Sequence, residues 1–385
     1  MRDVSIIGVG QTPVGEHWGL SLRELALHAI QAAFSDAGTQ QVEMLVIGNM
    51  LAGELSGQGH LGSLLADFAG LRGIEAVRVE AADASGGAAL RYGYLAVAGG
   101  AVDFALVLGI EKFTDVVGSQ RAAASATLLD ADYEAAQGLT PAAQAALLMR
   151  RYMYEYQVDT SAFAGFSVNA HTNGAMNPNA MYRNRIKAEA FVKPPPIAPP
   201  VCLFDAAPEG DGAAALILTT TERAREVTNR PVRISASAVA TDTLSLHDRP
   251  DPLFLTAANI SAQKAYQQAG VGPADLDLFE LHDSFTILSA LTLEVCGFAG
   301  RGAGCELACE EGIGLKGKIP ISTFGGLKAR GHAGGATGVY QAVEATLQLR
   351  GQAGPNQVEE ARIAMIQNIG GLGGTAFTHI LEAMG

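Results

Sequence analysis

Four short segments of this chain carry groups able to move protons or to stabilise negative charge. The first is Glu80-Ala81-Ala82-Asp83-Ala84-Ser85-Gly86-Gly87. It reads as a strand-to-helix turn that presents the Asp83 carboxylate at a helix start. The second is Leu281-His282-Asp283-Ser284-Phe285, directly after the apolar run Leu276–Phe279; strand ends are where α/β sheets place reactive groups. Taken alone, His282 reads equally well as a hydrogen-bonded core histidine. The third is Phe324–Gly338, in which glycines closely flank His332 and permit close backbone approach beside an exposed imidazole. The fourth, Asn368-Ile369-Gly370-Gly371-Leu372-Gly373-Gly374, is either a tight turn or a cradle of free N–H groups for an oxyanion.

A carboxylate and two histidines suffice for general acid–base work. Burial among small and apolar neighbours would raise the pKa of Asp83, while a helix N-terminus and a nearby histidine would lower it. The direction is open from sequence alone. Ser85, Phe285, Lys328 and Arg330 are the further residues expected to touch a ligand, the two cations because an anionic group needs local charge. Four cysteines (Cys202, Cys296, Cys305, Cys309) are too few and too irregularly spaced for a disulfide framework. Cys305 and Cys309 lack nearby partners for a zinc set, so no metal is expected.

The elements that must position these segments repeat. Val4-Ser5-Ile6-Ile7 opens one half and Val232-Arg233-Ile234-Ser235 the other; a helix ending at Ala37-Gly38 has its counterpart at Ala269-Gly270. The glycine is the expected helix C-cap in both. The Gly/Ala-rich helices opened by Ser85 and by Ala333 lead to the apolar strands Phe104–Leu108 and Ile363–Ile366. Two copies of one βαβ-rich unit follow, residues 1–230 and 231–385, with mostly parallel pairing in buried sheets. About residues 113–200 break the pattern and read as an inserted binding excursion, closed by a polyproline spacer at Lys193-Pro194-Pro195-Pro196. The 48% hydrophobic and 17% charged composition with 46 glycines suits a compact α/β chain of 385 residues. A net charge of -13 argues against nucleic acid and anionic membranes. No run approaches the roughly eighteen apolar residues of a membrane span, and no signal pattern opens the chain, so a cytoplasmic, soluble protein is expected.

Together the four segments, with Gln58-Gly59-His60-Leu61-Gly62, His171–Pro178 and Asp211-Gly212-Ala213-Ala214-Ala215, resemble the thiolase superfamily, specifically its archaeal and sterol-carrier-protein-type branch, over essentially the whole chain. The resemblance implies two βαβ-rich halves stacked as five αβαβα layers with an inserted loop domain. It implies an acyl-coenzyme A thioester as ligand, with no cofactor beyond that substrate. His282 and His332 would hold the thioester oxygen as it becomes an enolate, and backbone N–H groups at Asp83 and Gly370 would form a second oxyanion site. The departures matter equally. Asp83 stands where the family carries its nucleophilic cysteine, Asn368 where biosynthetic members carry an acid/base cysteine, and Ser284 where this branch tends to carry one. Ala333 and Ser322 replace a usual proline and asparagine.

A thiolate accepts an acyl group readily, whereas a carboxylate would give a hydrolysable anhydride. Three readings follow. One is an enzyme that keeps enolate chemistry at the carbon next to the thioester, by aldol or retro-aldol steps, without an acyl-enzyme. Another is an acetyl-coenzyme A C-acyltransferase in which Asp83 replaces an original cysteine or another residue, distantly Ser85, takes the acyl group. The third is a non-catalytic acyl-coenzyme A scaffold. A homodimer or dimer of dimers is expected, and by the branch's example a small zinc-ribbon/OB-fold partner protein.

Overall fold

The computed structural model describes residues 1–384. Strand β1 (Val4–Gln11) leads to helix α1 (Leu22–Ala37), which begins at a capping box between Ser21 and Glu24 and ends at Gly38 with φ 67°. Then come β2 (Met44–Gly48), α2 (Leu61–Phe68), β3 (Glu75–Val79), α3 (Ser85–Gly99) and β4 (Phe104–Glu111). The excursion that follows holds α4 (Ser119–Ala126), α5 (Pro141–Tyr156) and α6 (Ala164–Gly174). It closes not as an extended spacer but as a small hairpin, β5 (Pro196–Ala198) and β6 (Val201–Cys202). Burial of Val201 and Cys202 against the core draws this run back onto the body. Strand β7 (Gly212–Thr220) completes the first half.

The second half repeats the scheme with β8 (Val232–Thr241), α7 (Thr256–Ala269), β9 (Leu278–Glu280), α8 (Thr286–Val295), α9 (Thr337–Leu349), β10 (Ile363–Gly370) and β11 (Thr375–Ala383). Helix α7 stops at Gly270 with φ 72°, as α1 stops at Gly38. Both glycines supply the left-handed cap that a side chain resists.

The nine strands of the main sheet run in the order β3-β2-β4-β7-β1-β8-β11-β10-β9. The two half-sheets pair with each other through Ser5 and Ile6 of β1 against Arg233 and Val232 of β8. Helices α1 and α2 cover one outer face and α7 the other, while α3 and α9 lie between the half-sheets, so the layers are αβαβα. Pairing is not mostly parallel: β1–β7, β1–β8, β4–β7, β8–β11 and β10–β11 are antiparallel, and only β2–β3, β2–β4 and β9–β10 are parallel. Strand β7 returns from the long excursion and β11 through a tight glycine turn, and neither needs a crossover helix. A continuous apolar run signals burial on both faces, whichever way its neighbour runs. The central helices touch backbone to backbone, since a Cβ added at Gly86 would lie 2.8 Å from the Gly338 nitrogen.

Candidate active site

Strand β3 ends at Val79 and the chain reverses into α3 through a locked turn. Ser85 Oγ accepts the Ala81 N–H at 2.9 Å and donates to the Ala82 carbonyl at 2.6 Å. Ala82 adopts φ 52°, the left-handed region that costs a side-chain-bearing residue about 1–2 kcal/mol. Ser85 is fully buried. It shapes the turn rather than touching a ligand, which corrects its expected role.

The turn points Asp83 at His332. Asp83 Oδ1 lies 3.0 Å from His332 Nε2, and Oδ2 accepts the Gly371 N–H at 3.0 Å. Burial alone would raise the Asp83 pKa. The hydrogen bond from the adjacent His332 ring, with the Gly371 N–H, outweighs it and holds the carboxyl below the ordinary carboxylate range. Asp83 therefore sits in the turn as a ready proton acceptor. On its far side, His332 Nδ1 meets Thr337 Oγ1 at 2.9 Å, which fixes the ring. Gly370 was the expected donor of the second oxyanion site. It is the last residue of β10, paired with Thr375, and the N–H that faces Asp83 comes from Gly371. The carboxylate itself occupies that donor.

Behind this pair lies His282. The Gly87 N–H can only donate, so the Asn368 atom 2.9 Å from it is the amide oxygen. Asn368 Nδ2 then faces the Asp83 carbonyl at 3.1 Å and His282 Nδ1 at 3.2 Å. His282 Nδ1 must accept, so its proton rides on Nε2. That Nε2–H is buried and has no partner. An unpaired buried donor costs about 1–3 kcal/mol, and such groups mark sites that await a ligand atom. Burial pushes the His282 pKa down to about 3, so the imidazole is a neutral donor. The two rings stand edge to face with centroids 5.5 Å apart.

A cavity of about 80 Å³ opens over Asp83 and His332. Leu128 and Leu129 from the excursion, with Phe285 and Leu372, give it apolar walls; Ser284 and Glu209 add polar ones. Arg249 pins the glycine loop by donating to the Leu372 carbonyl at 2.7 Å. Asp283 is buried beneath, accepting the Leu327 N–H at 2.8 Å and the Ser322 hydroxyl at 3.1 Å, and so anchors the loop that carries His332.

Of the four residues expected to touch a ligand, Phe285 alone lines this cavity. Arg330 is buried instead against Glu344 at 2.8 Å and over the Tyr340 ring, so its charge is consumed in the core. Lys328 donates to the Leu203 and Ala206 carbonyls in a separate cleft beside His171 and Tyr182. Burial there pushes its pKa down to about 8. Glu209, Arg249 and the anchoring part of Asp283 escaped the sequence reading. Glu209 offered one signal, a lone carboxylate between Pro208 and Gly210 just ahead of Asp211-Gly212. Cys202 and Cys296 are buried away from the cavity, and among the described residues no cluster of three or more His, Cys, Asp or Glu is arranged to hold a metal.

The models for "Thiolase, N-terminal domain" and "Thiolase C-terminal domain-like" match residues 4–190 and 238–383. The chain is 45% identical to an acetyl-CoA acetyltransferase of Methanothermobacter thermautotrophicus, over 99% of this chain and 100% of that one. It is 29% identical to a 17-hydroxy-3-oxo-4-pregnene-20-carboxyl-CoA lyase of Mycobacterium tuberculosis, over 90% and 91% of the two chains. Its fold superposes on a solved Ltp2-ChsH2(DUF35) aldolase with a TM-score of 0.87 at 25% identity, covering 99% of this chain and 98% of that one. A five-layered body and matches to both halves lead to one conclusion: this chain belongs to the thiolase family.

Proposed function

We propose that this chain makes or cleaves the carbon–carbon bond next to the thioester of an acyl-coenzyme A by enolate chemistry, without an acyl-enzyme. The observation that carries the reading is the Asp83–His332 pair: a carboxylate, held ionised, occupies the turn that by the family resemblance would carry a thiol. In the condensing direction Asp83 takes a proton from the α-carbon. The electrons move onto the thioester oxygen, which needs donors. His332 Nε2 and the neutral, unpartnered His282 Nε2–H, on rings packed edge to face, are the donors we assign to it. With Asp83 paired to His332, His282 Nε2 has no open surface. A thioester oxygen reaches it as Asp83 swings from His332 and Gly371 toward the α-carbon. The enolate then attacks a carbonyl carbon, and cleavage is the reverse. No cofactor is required beyond the coenzyme A that the substrate carries.

The lyase relative and the aldolase neighbour support this choice over acyl transfer. The acetyltransferase relatives favour a second reading, transfer through a covalent acyl group, but the cavity offers that reading no cysteine. Incubation with acetyl-coenzyme A separates the two. Exchange of α-protons with deuterated water, with no added mass on the protein, is the expected result. A stable acetyl adduct, or no exchange above solvent with several acyl lengths, would sink the enolate reading. Asp83→Cys should gain the adduct.

The neighbour pairs its aldolase with a DUF35 component, which supports a small partner protein here. Strand β3 is the outer strand of the first half-sheet, with Val77 45% exposed, and suits edge-to-edge pairing into a homodimer in the cytoplasm. Sedimentation showing a monomer at micromolar concentration would overturn the dimer.

A further inference from the structure

Enolate chemistry that joins two carbons handles two protons, one at the α-carbon and one at the oxygen of the β-carbon. Asp83 accounts for the first. The second needs another acid/base group facing the same cavity, and the thiols that could serve are absent. Glu209 lines it as well. Its backbone is strapped alongside His332: the His332 N–H donates to the Pro208 carbonyl at 2.8 Å, and the Gly210 N–H donates to the His332 carbonyl at 3.0 Å. This is a parallel bridge, Glu209 against His332. Residues paired across such a bridge send their side chains to the same side. The side chain of Glu209 thus stands beside the imidazole that holds Asp83.

Two groups of α4, one turn apart, steady the Glu209 carboxyl. Ser125 Oγ donates to Oε1 at 3.2 Å, and Arg121 Nε stands 4.0 Å from Oε2. Nearly a third of the Glu209 side chain remains exposed, and Ser125, Asp83 and His332 line the same cavity. A carboxyl strapped to the catalytic loop and open to the cavity is placed for exchange with a ligand rather than for structure.

We propose that Glu209 is a second catalytic residue, the acid/base that exchanges a proton with the oxygen on the β-carbon while Asp83 exchanges the α-proton. The proposal rests on the enolate reading and extends it. In condensation the α-C–H bond breaks and its proton passes to Asp83. The α-carbon bonds to the carbonyl carbon, the carbonyl π-electrons move to oxygen, and that oxygen takes the proton of Glu209. The product is a β-hydroxyacyl thioester; a proton moved from Asp83 to Glu209 through water resets the site. Cleavage runs each step backwards. The environments agree with this division. Burial, with a smaller contribution from the Asp83 charge, raises the Glu209 pKa against the opposing pull of His332, Arg121 and Ser125, whereas Asp83 is lowered. Paired carboxyls pushed apart in this way are how a site separates its acid from its base.

Two half-reactions separate this inference from the reading beneath it. Exchange of the α-protons of acetyl-coenzyme A in deuterated water needs Asp83 and the oxyanion donors only. Cleavage of a panel of 3-hydroxyacyl-coenzyme A thioesters, starting with 3-hydroxybutyryl-coenzyme A to acetyl-coenzyme A and acetaldehyde, needs the β-oxygen group as well. Glu209→Gln keeps the shape and the Ser125 contact. It should retain exchange within about threefold while losing cleavage by roughly a hundredfold or more, with Glu209→Asp recovering part of the loss. Cleavage unchanged in Glu209→Gln would overturn the role of Glu209 alone. Exchange and cleavage lost together would make Glu209 a structural support of His332 and would also overturn it. Wild type that exchanges but cleaves no member of the panel would leave Glu209 without a reaction and refute the inference. Wild type without exchange would remove the enolate reading itself.

Discussion

At the scale of residues, Asp83, His282, His332 and Asn368 were legible because each lies in a short segment whose order along the chain is itself a signal. Their division of labour was not. It depends on the Gly87 N–H, which orients the Asn368 amide and through it sets the proton of His282 on Nε2. Arg330 and Lys328 were misread because a charge in sequence suggests an exposed cation. Glu344, fourteen residues on, and carbonyls more than a hundred residues away take up those charges, and sequence shows neither contact. The pKa of Asp83, undecided between burial and its partners, falls to the partners' side. Two substitutions test this division. Asp83→Asn keeps the shape but removes the proton acceptor, so α-proton exchange should drop roughly a hundredfold or more. His332→Ala removes one oxyanion donor, and exchange should fall by about a hundred- to a thousandfold. Asp83→Asn exchanging at the wild-type rate would assign the base elsewhere.

At the scale of elements, helix ends and the repeat were readable from Gly38 and Gly270, whose caps mark equivalent corners of the two halves. Strand direction was not, because β7 and β11 are as apolar as parallel strands and their returns depend on connections. The contact between α3 and α9 does more than close the packing between the half-sheets. A Cβ added at Gly338 would lie 2.2 Å from Asn368 Oδ1 and 2.3 Å from the Gly87 nitrogen. Gly338→Ala would therefore press apart the two helices and the very hydrogen bond that orients Asn368. Overpacking of this kind costs typically about 1–3 kcal/mol. The expected result is a lower denaturation midpoint at unchanged m-value, together with a loss of α-proton exchange larger than the stability loss explains. A variant that is destabilised yet exchanges at full rate would separate the helix contact from the site.

At the scale of the whole molecule, the five layers bury titratable groups that the unfolded chain would expose, and stability must then depend on pH. His282 and His379 lie wholly inside, and burial pushes both down to about 3. As pH falls below about 6.5, the unfolded chain takes up a proton at each imidazole that the folded molecule refuses. Their contribution is whole above that pH and is lost toward 3, each at up to about 1.4 kcal/mol per pH unit. Glu111 and Glu280 oppose them, since burial pushes both carboxyls up to about 7. The folded molecule protonates these first, so their contribution is complete below about 4.5 and disappears as pH rises through 7. The total curve mixes both effects, but a difference between two proteins does not. His379 lies away from the cavity, with Nε2 at the Gly87 carbonyl, and His379→Gln removes one of the two silent imidazoles. Measured by chemical denaturation, the stability gap between wild type and His379→Gln should be flat above about pH 7.5. Below about pH 6 it should shift toward the variant by close to one proton's worth, about 1.4 kcal/mol per unit. Parallel curves from pH 8 to pH 5 would mean that His379 titrates alike in both states, and that the sheet interior holds a charge there after all.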